Sequence, residues 1–127
     1  IAVGEPEPGR PWRIGIRHPD HEDRVAAVLR VRDLAVATSG LYERGPHIRD
    51  PHTGRVPGGL RSATVIGPTL ALADAYATTA FAMGDPGIGW VDGQPGFAAV
   101  GITAADRVVW TRAAHDMLDL DASAPDA

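Results

Sequence analysis

Residues 70–83, LALADAYATTAFAM, constrain this chain more than any other stretch. Alanine, leucine and methionine are strong helix formers, and neither glycine nor proline interrupts the run. Thr69 in front is a good N-cap, and Gly84 followed by Asp85-Pro86 closes the far end. The pattern predicts one helix over residues 70–83. Because its apolar residues go nearly all the way round, the helix is expected to be buried on more than one face.

Short β-rich runs lie on both sides of it. Trp12, Ile14 and Ile16 alternate with polar residues as a half-buried strand. The segment from His18 to Asp23 breaks that strand, and His18 and His21 read as a solvated loop rather than metal ligands, since Pro19 forbids a continuing helix. Residues 25–39 hold two β-rich runs pivoting on Arg32-Asp33, which predicts a hairpin. Residues 41–59 read as loop. A short strand over Ser62–Ile66 ends at Gly67-Pro68, and after a loop through Asp92-Gly93 a second hairpin joins residues 97–102 to 108–111. With no alternation of strands and helices, the fold class is α+β: an antiparallel sheet packed by one long Ala-rich helix. Residues 1–115 make up the folded portion. The tail 116–127, with four acids and no cation, is expected to fray.

Composition removes several chemistries. All 12 cationic side chains are arginine, and lysine, asparagine and cysteine are absent. There is no Schiff-base lysine, no Walker-type phosphate loop, no thiolate nucleophile and no sulfur-ligated metal. What remains is oxygen and imidazole chemistry. Residues 1–61 carry a balance of +2 and residues 62–127 a balance of −6, for a net charge of −4. Scattered arginines on an acidic chain argue against nucleic acid as a partner. No run of about 18 apolar residues reads as a membrane span. The first residue is Ile1 rather than Met, which reads as a trimmed piece.

Two groups of residues could carry chemistry. In the helix, Asp74 is a lone carboxylate among apolar neighbours, costly unless it is paired or binds a cation. Thr78 lies one turn on, along the same face. Together they supply two hard oxygens, which suit Mg²⁺ better than Zn²⁺. An equally open reading has Asp74 capping a loop amide or pairing with an arginine, and Thr78 bonding back to the Asp74 carbonyl. The second group is Thr38-Ser39-Gly40, whose hydroxyls and backbone N–H groups could hold anionic oxygens, followed by His47-Ile48-Arg49-Asp50-Pro51. His47 could act as a general base with Asp50 fixing its tautomer, or sit as an ordinary hydrogen-bonded loop histidine beside a turn.

Four motifs in order join these groups: A-V-A-T-S-G-x-Y-E-R over Ala35–Arg44, H-I-x-D-P-x-T-G over His47–Gly54, S-x-T-V-I over Ser62–Ile66, and A-D-A-x-A-T over Ala73–Thr78. The ordered set closely resembles the C-terminal half of the FAD:protein FMN transferases, the ApbE family. The resemblance implies a T-fold-like architecture and a Mg²⁺-dependent bacterial enzyme. Such an enzyme splits FAD, releases AMP and joins FMN through a phosphoester to a Thr or Ser hydroxyl of an acceptor protein. It implies Asp74 and Thr78 as metal ligands, with Asp74 counted as catalytic, and His47 as the group that deprotonates the acceptor hydroxyl. It makes Ile48, Thr38, Ser39 and Gly40 flavin contacts. By position, the Val3 carbonyl becomes a third metal ligand and Glu5 a flavin neighbour. Arg49 and Thr79 stand where the family has an aliphatic residue and alanine.

The family pattern also has a flavin-binding Gly-Gly-Asp motif and a further α+β portion that would precede Ile1. The chain is therefore expected to be the C-terminal part of a divided FAD site, inactive by itself and partnered by the missing N-terminal portion. Family members are exported and lipid-anchored in many bacteria, which implies an extracytoplasmic, membrane-associated location. Two rival readings are an FAD pyrophosphatase, giving FMN and AMP, and a non-catalytic flavin-binding module.

Overall fold

The computed structural model describes residues 7–19, 21–40 and 59–119, without the side chains of residues 21–23. Within these residues, two antiparallel sheets and three helices build three layers. The first sheet is a hairpin of β1 (Trp12–His18) and β2 (His21–Val31). The second contains β3 (Ala35–Gly40), β4 (Leu60–Gly67), β5 (Ala98–Thr103) and β6 (Val108–Trp110), in that spatial order. Helices α1 (Leu70–Met83) and α2 (Pro86–Asp92) cover one face of the four-stranded sheet. The β1–β2 hairpin and α3 (Arg112–His115) cover the other.

Strand alternation explains the two cores. On the helix side, Ala63 and Val65 of β4 and Ala99 of β5 meet Ala73, Ala77, Ala80 and Phe81 of α1. One residue along, Ile66, Ala98, Val100 and Ile102 point the other way, against Ile16, Ala27 and Leu29 of the hairpin. Strand β4 is thus covered on both faces.

Helix α1 has the expected bounds. Thr69 caps it by accepting a hydrogen bond from the Leu72 amide at 3.4 Å, and Gly84 ends it at φ 76°. It is not buried on several faces, however. Only Ala73, Ala77, Ala80 and Phe81 are buried, because a single sheet lies beneath it. Nor is it the sole helix. The loop expected after Asp85 contains α2, whose two interior glycines argue against helix. Gly87 has a packing reason: a Cβ there would lie 2.1 Å from the Ala80 carbonyl oxygen, so only glycine lets α2 settle on α1.

The strand pairing also departs from expectation. Residues 25–39 do not close a hairpin: β2 pairs with β1 and β3 with β4. The Arg32-Asp33 pair is a corner between sheets, with Asp33 at φ 52°, a backbone region that aspartate tolerates better than most residues. From His21 the polar stretch is likewise strand, with His18 paired to His21. The second hairpin matches expectation as β5–β6, turning through Asp106 at φ 62°. Past Asp116 the chain remains attached as far as Asp119: the Arg30 amide donates to the Met117 carbonyl at 2.7 Å, and the Asp119 amide to that of Val28 at 2.9 Å. Leu118 is buried beside Leu29. Among the described residues, no helix is long and apolar enough to cross a membrane.

Among the described residues, one buried group is left over. Ser62 is fully buried and its hydroxyl has no hydrogen-bond partner among the described residues. An unmet buried hydroxyl costs about 1–3 kcal/mol. Ser62→Ala is therefore expected to hold or raise the thermal midpoint; a drop of more than a few degrees would show that the hydroxyl is satisfied in solution.

Candidate functional site

The alternation of β3 sorts its polar end residues. Thr38 and Ser39 are neighbours in sequence, so they project from opposite faces of the sheet. Thr38 Oγ1 lies 2.8 Å from Thr64 Oγ1, its register partner on β4. Ser39 turns to the helix side, where its Oγ lies 3.2 Å from Thr78 Oγ1 of α1. Gly40 is buried at the strand end, opposite Ser62. The Thr-Ser-Gly segment is therefore split: Ser39 joins the helix, while Thr38 stays with the far face.

Asp74 and Thr78 are one turn apart on α1, and both are exposed. The premise that Asp74 is a buried carboxylate does not hold. It pairs with no arginine and caps no amide among the described residues. Thr78 spends its hydroxyl on Ser39 and not on the Asp74 carbonyl; the back-bond into the helix is made instead by Thr79 Oγ1, which donates to the Ala75 carbonyl at 2.9 Å. Among the described residues this leaves an unpaired carboxylate one turn along α1 from the two hydroxyls that meet between α1 and β3. All three donors are hard oxygens, a set suited to Mg²⁺, which takes one or two carboxylates and fills its remaining positions from water and phosphate. No group of three or more His, Cys, Asp or Glu is positioned for a metal among the described residues. A cation here would draw on substrate oxygens or on other parts of the protein.

The remaining expected site residues, Val3, Glu5, His47 and Ile48, lie outside the described residues. A cleft of about 560 Å³ opens elsewhere, at the β5–β6 end of the sheet, lined by Leu60, Asp85, Ile88, Thr103, Arg107 and Val109. None of the expected site residues lines it. The Ser39–Thr78 contact was the feature sequence reasoning missed. Period-two alternation in β3 carried the signal, since it separates Thr38 from Ser39.

Residues 1–100 match the sequence profile of the ApbE family, most of the chain. The chain belongs to the ApbE family. Over 86 residues it is 40% identical to the FAD:protein FMN transferase of Escherichia coli (strain K12), covering 60% of this chain and 24% of that protein. The enzyme of the same name from Rhodobacter capsulatus is 37% identical over 99 residues, covering 72% of this chain and 19% of its own length. Among solved structures, the flavin transferase ApbE of Vibrio cholerae superposes with a TM-score of 0.75 at 30% identity, covering 91% of this chain and 40% of that one. The ApbE protein of Thermotoga maritima gives 0.70 at 29% identity, covering 87% and 39%. The mixed α/β fold with antiparallel sheets is thus an ApbE fold, and this ApbE-family chain spans a quarter or less of the length of those two curated relatives.

Proposed function

We propose that this chain carries one part of the site of an enzyme that moves FMN from FAD onto a Thr or Ser hydroxyl of an acceptor protein and releases AMP. The observation that carries the reading is the seam where Thr78 of α1 meets Ser39 of β3, with the exposed carboxylate of Asp74 one helical turn from it. Family membership supplies the substrate, since the curated relatives are named FAD:protein FMN transferases. In this reading Asp74 and Thr78 hold Mg²⁺, with the Val3 carbonyl as a further ligand. When bound, the cation offsets the negative charge of the pyrophosphate.

The remaining work falls to the protein. Phosphoryl transfer asks for alignment and charge stabilisation more than for covalent chemistry by side chains. Ser39, Gly40, Ile48 and Glu5 orient the flavin end. His47 takes the proton of the acceptor hydroxyl. That oxygen bonds to the phosphorus of the FMN moiety, the P–O bond to the AMP moiety breaks, and AMP leaves with the bridging oxygen. The site is divided, the rest being supplied by an N-terminal portion of the same protein, and the enzyme works outside the cytoplasm.

The test incubates the longer protein with FAD, Mg²⁺ and a threonine-bearing acceptor peptide, and reads the peptide mass. A gain equal to one FMN phosphoester is expected, and His47→Ala should lower its rate by roughly a hundredfold or more, the usual scale of a lost general base. Release of FMN and AMP with unmodified peptide would make the enzyme a pyrophosphatase instead. Rapid transfer by residues 1–127 alone would refute a divided site.

A further inference from the structure

The outer side of α1 is unlike the surface of an independent domain. Helices at a protein surface turn charged and polar residues to solvent. Apart from Asp74, no exposed residue of α1 carries a charge. Leu72, Ala75, Thr79 and Met83 follow at spacings of three and four, so they form one continuous ridge. Leu72 is 44% exposed and Met83 41%. The one hydroxyl on the ridge, that of Thr79, is already spent on the Ala75 carbonyl. The ridge is in effect apolar from end to end.

Three occupants could cover it, and the observations favour one. A ridge along the 12 residues from Leu72 to Met83 is about 18 Å long and of order 200 Å² in area, given the helical rise and width. A stable complex between separate chains buries about 800 Å² on each partner, so the ridge is too small to hold a second copy. Helices that lie on anionic lipid carry Lys or Arg beside their apolar face, and α1 has neither. A contact within one polypeptide has no such area requirement, because the association entropy is already met by the chain. The matched region is 40% of the solved Vibrio cholerae relative, so most of that fold lies beyond what this chain contains.

We propose that the Leu72–Ala75–Thr79–Met83 ridge is the docking surface for the preceding portion of the same protein, through an uncharged apolar face on that portion. The proposal rests on the divided-site reading and names the surface where the two parts meet. Docking there seats the second portion on the helix that carries Asp74 and Thr78, so the seam with Ser39 becomes the floor of a cleft instead of an open flank.

The absence of cysteine from these residues makes a labelling test clean. Thr79→Cys is introduced into residues 1–127 and into the longer protein, with Ala113→Cys on the exposed side of α3 as control. Maleimide labelling of each site is followed by peptide mass analysis. Thr79→Cys is expected to label at least roughly tenfold more slowly in the longer protein than in residues 1–127, with Ala113→Cys equal in both. Leu72→Cys should follow Thr79→Cys. Equal labelling of Thr79→Cys in the two proteins overturns the proposal. So does protection within residues 1–127 that grows with protein concentration, which indicates a second copy, or protection that needs anionic vesicles. Because the readout needs no turnover, protection without FMN transfer would sink the flavinylation reading and leave the docking surface standing.

Discussion

Asp74→Ala in the longer protein is expected to abolish FMN transfer, by roughly a thousandfold or more, while leaving the fold as stable as before. The two halves of that expectation have one cause. Asp74 is exposed and unpaired among the described residues, so its carboxylate supports nothing in the core. Alanine is also the better helix former, by up to about 0.7 kcal/mol. A structural carboxylate would behave in the opposite way, lowering the thermal midpoint when removed. The measurement pairs a transfer assay with a melting curve for Asp74→Ala and Asp74→Asn. Asparagine keeps the shape and a neutral oxygen but loses the charge, and it should fail as well. Substantial transfer by both variants would remove Asp74 from the site; lost transfer together with a large fall in melting point would give it a structural role.

The largest stability effect is expected at Gly87. An added Cβ would lie 2.1 Å from the carbonyl oxygen of Ala80 and 2.7 Å from its carbon, both backbone atoms of α1 that no rotamer change can clear. Gly87→Ala must push α2 off α1 and loosen Ile88 and Val91, which are buried against the sheet. Overpacking of this kind costs about 1–3 kcal/mol, a fall of roughly 5–15 °C in the melting point of a domain this size. Gly89 supplies the contrast. It lies two residues on in the same helix, with nothing within 4 Å of an added Cβ. There alanine should stabilise by up to about 1 kcal/mol through helix propensity alone. Melting points shifted in the same direction by the two substitutions would refute the packing of α2 on α1.

Much of this was legible in the sequence wherever local chemistry decides the outcome. The capped alanine-rich run became α1, Ser62–Ile66 fell within β4, and the final strand pair formed around Asp106. Legibility failed where distant partners decide. The runs on either side of Arg32-Asp33 have the composition of a hairpin, but β3 is claimed by β4, and nothing local to residues 25–39 records that. Helix α2 contains two glycines because its neighbour demands closeness, a requirement of tertiary packing that overrides propensity. The apolar content of α1 predicts a buried Asp74, yet content alone does not fix burial, and Asp74 is exposed. Leu70, Leu72 and Met83 of α1 are exposed although apolar, and the other residues expected at the site, Val3, Glu5, His47 and Ile48, lie outside the described residues.

The attachment of the chain end to β2 has a consequence for how the molecule comes to be made. The β1–β2 hairpin can pair as soon as its residues are available, since its contacts are local. Its inward face is finished only when Leu118 arrives beside Leu29 and the Arg30 guanidinium reaches the Leu118 carbonyl, a contact spanning 88 residues. Distant contacts of this kind form late and slow folding. During synthesis from the N-terminus, the hairpin therefore waits with Leu29 at best partly covered, by β4 and β5, until almost the whole of this chain has left the ribosome. A nascent chain arrested before Met117 would present that unsealed layer to chaperones.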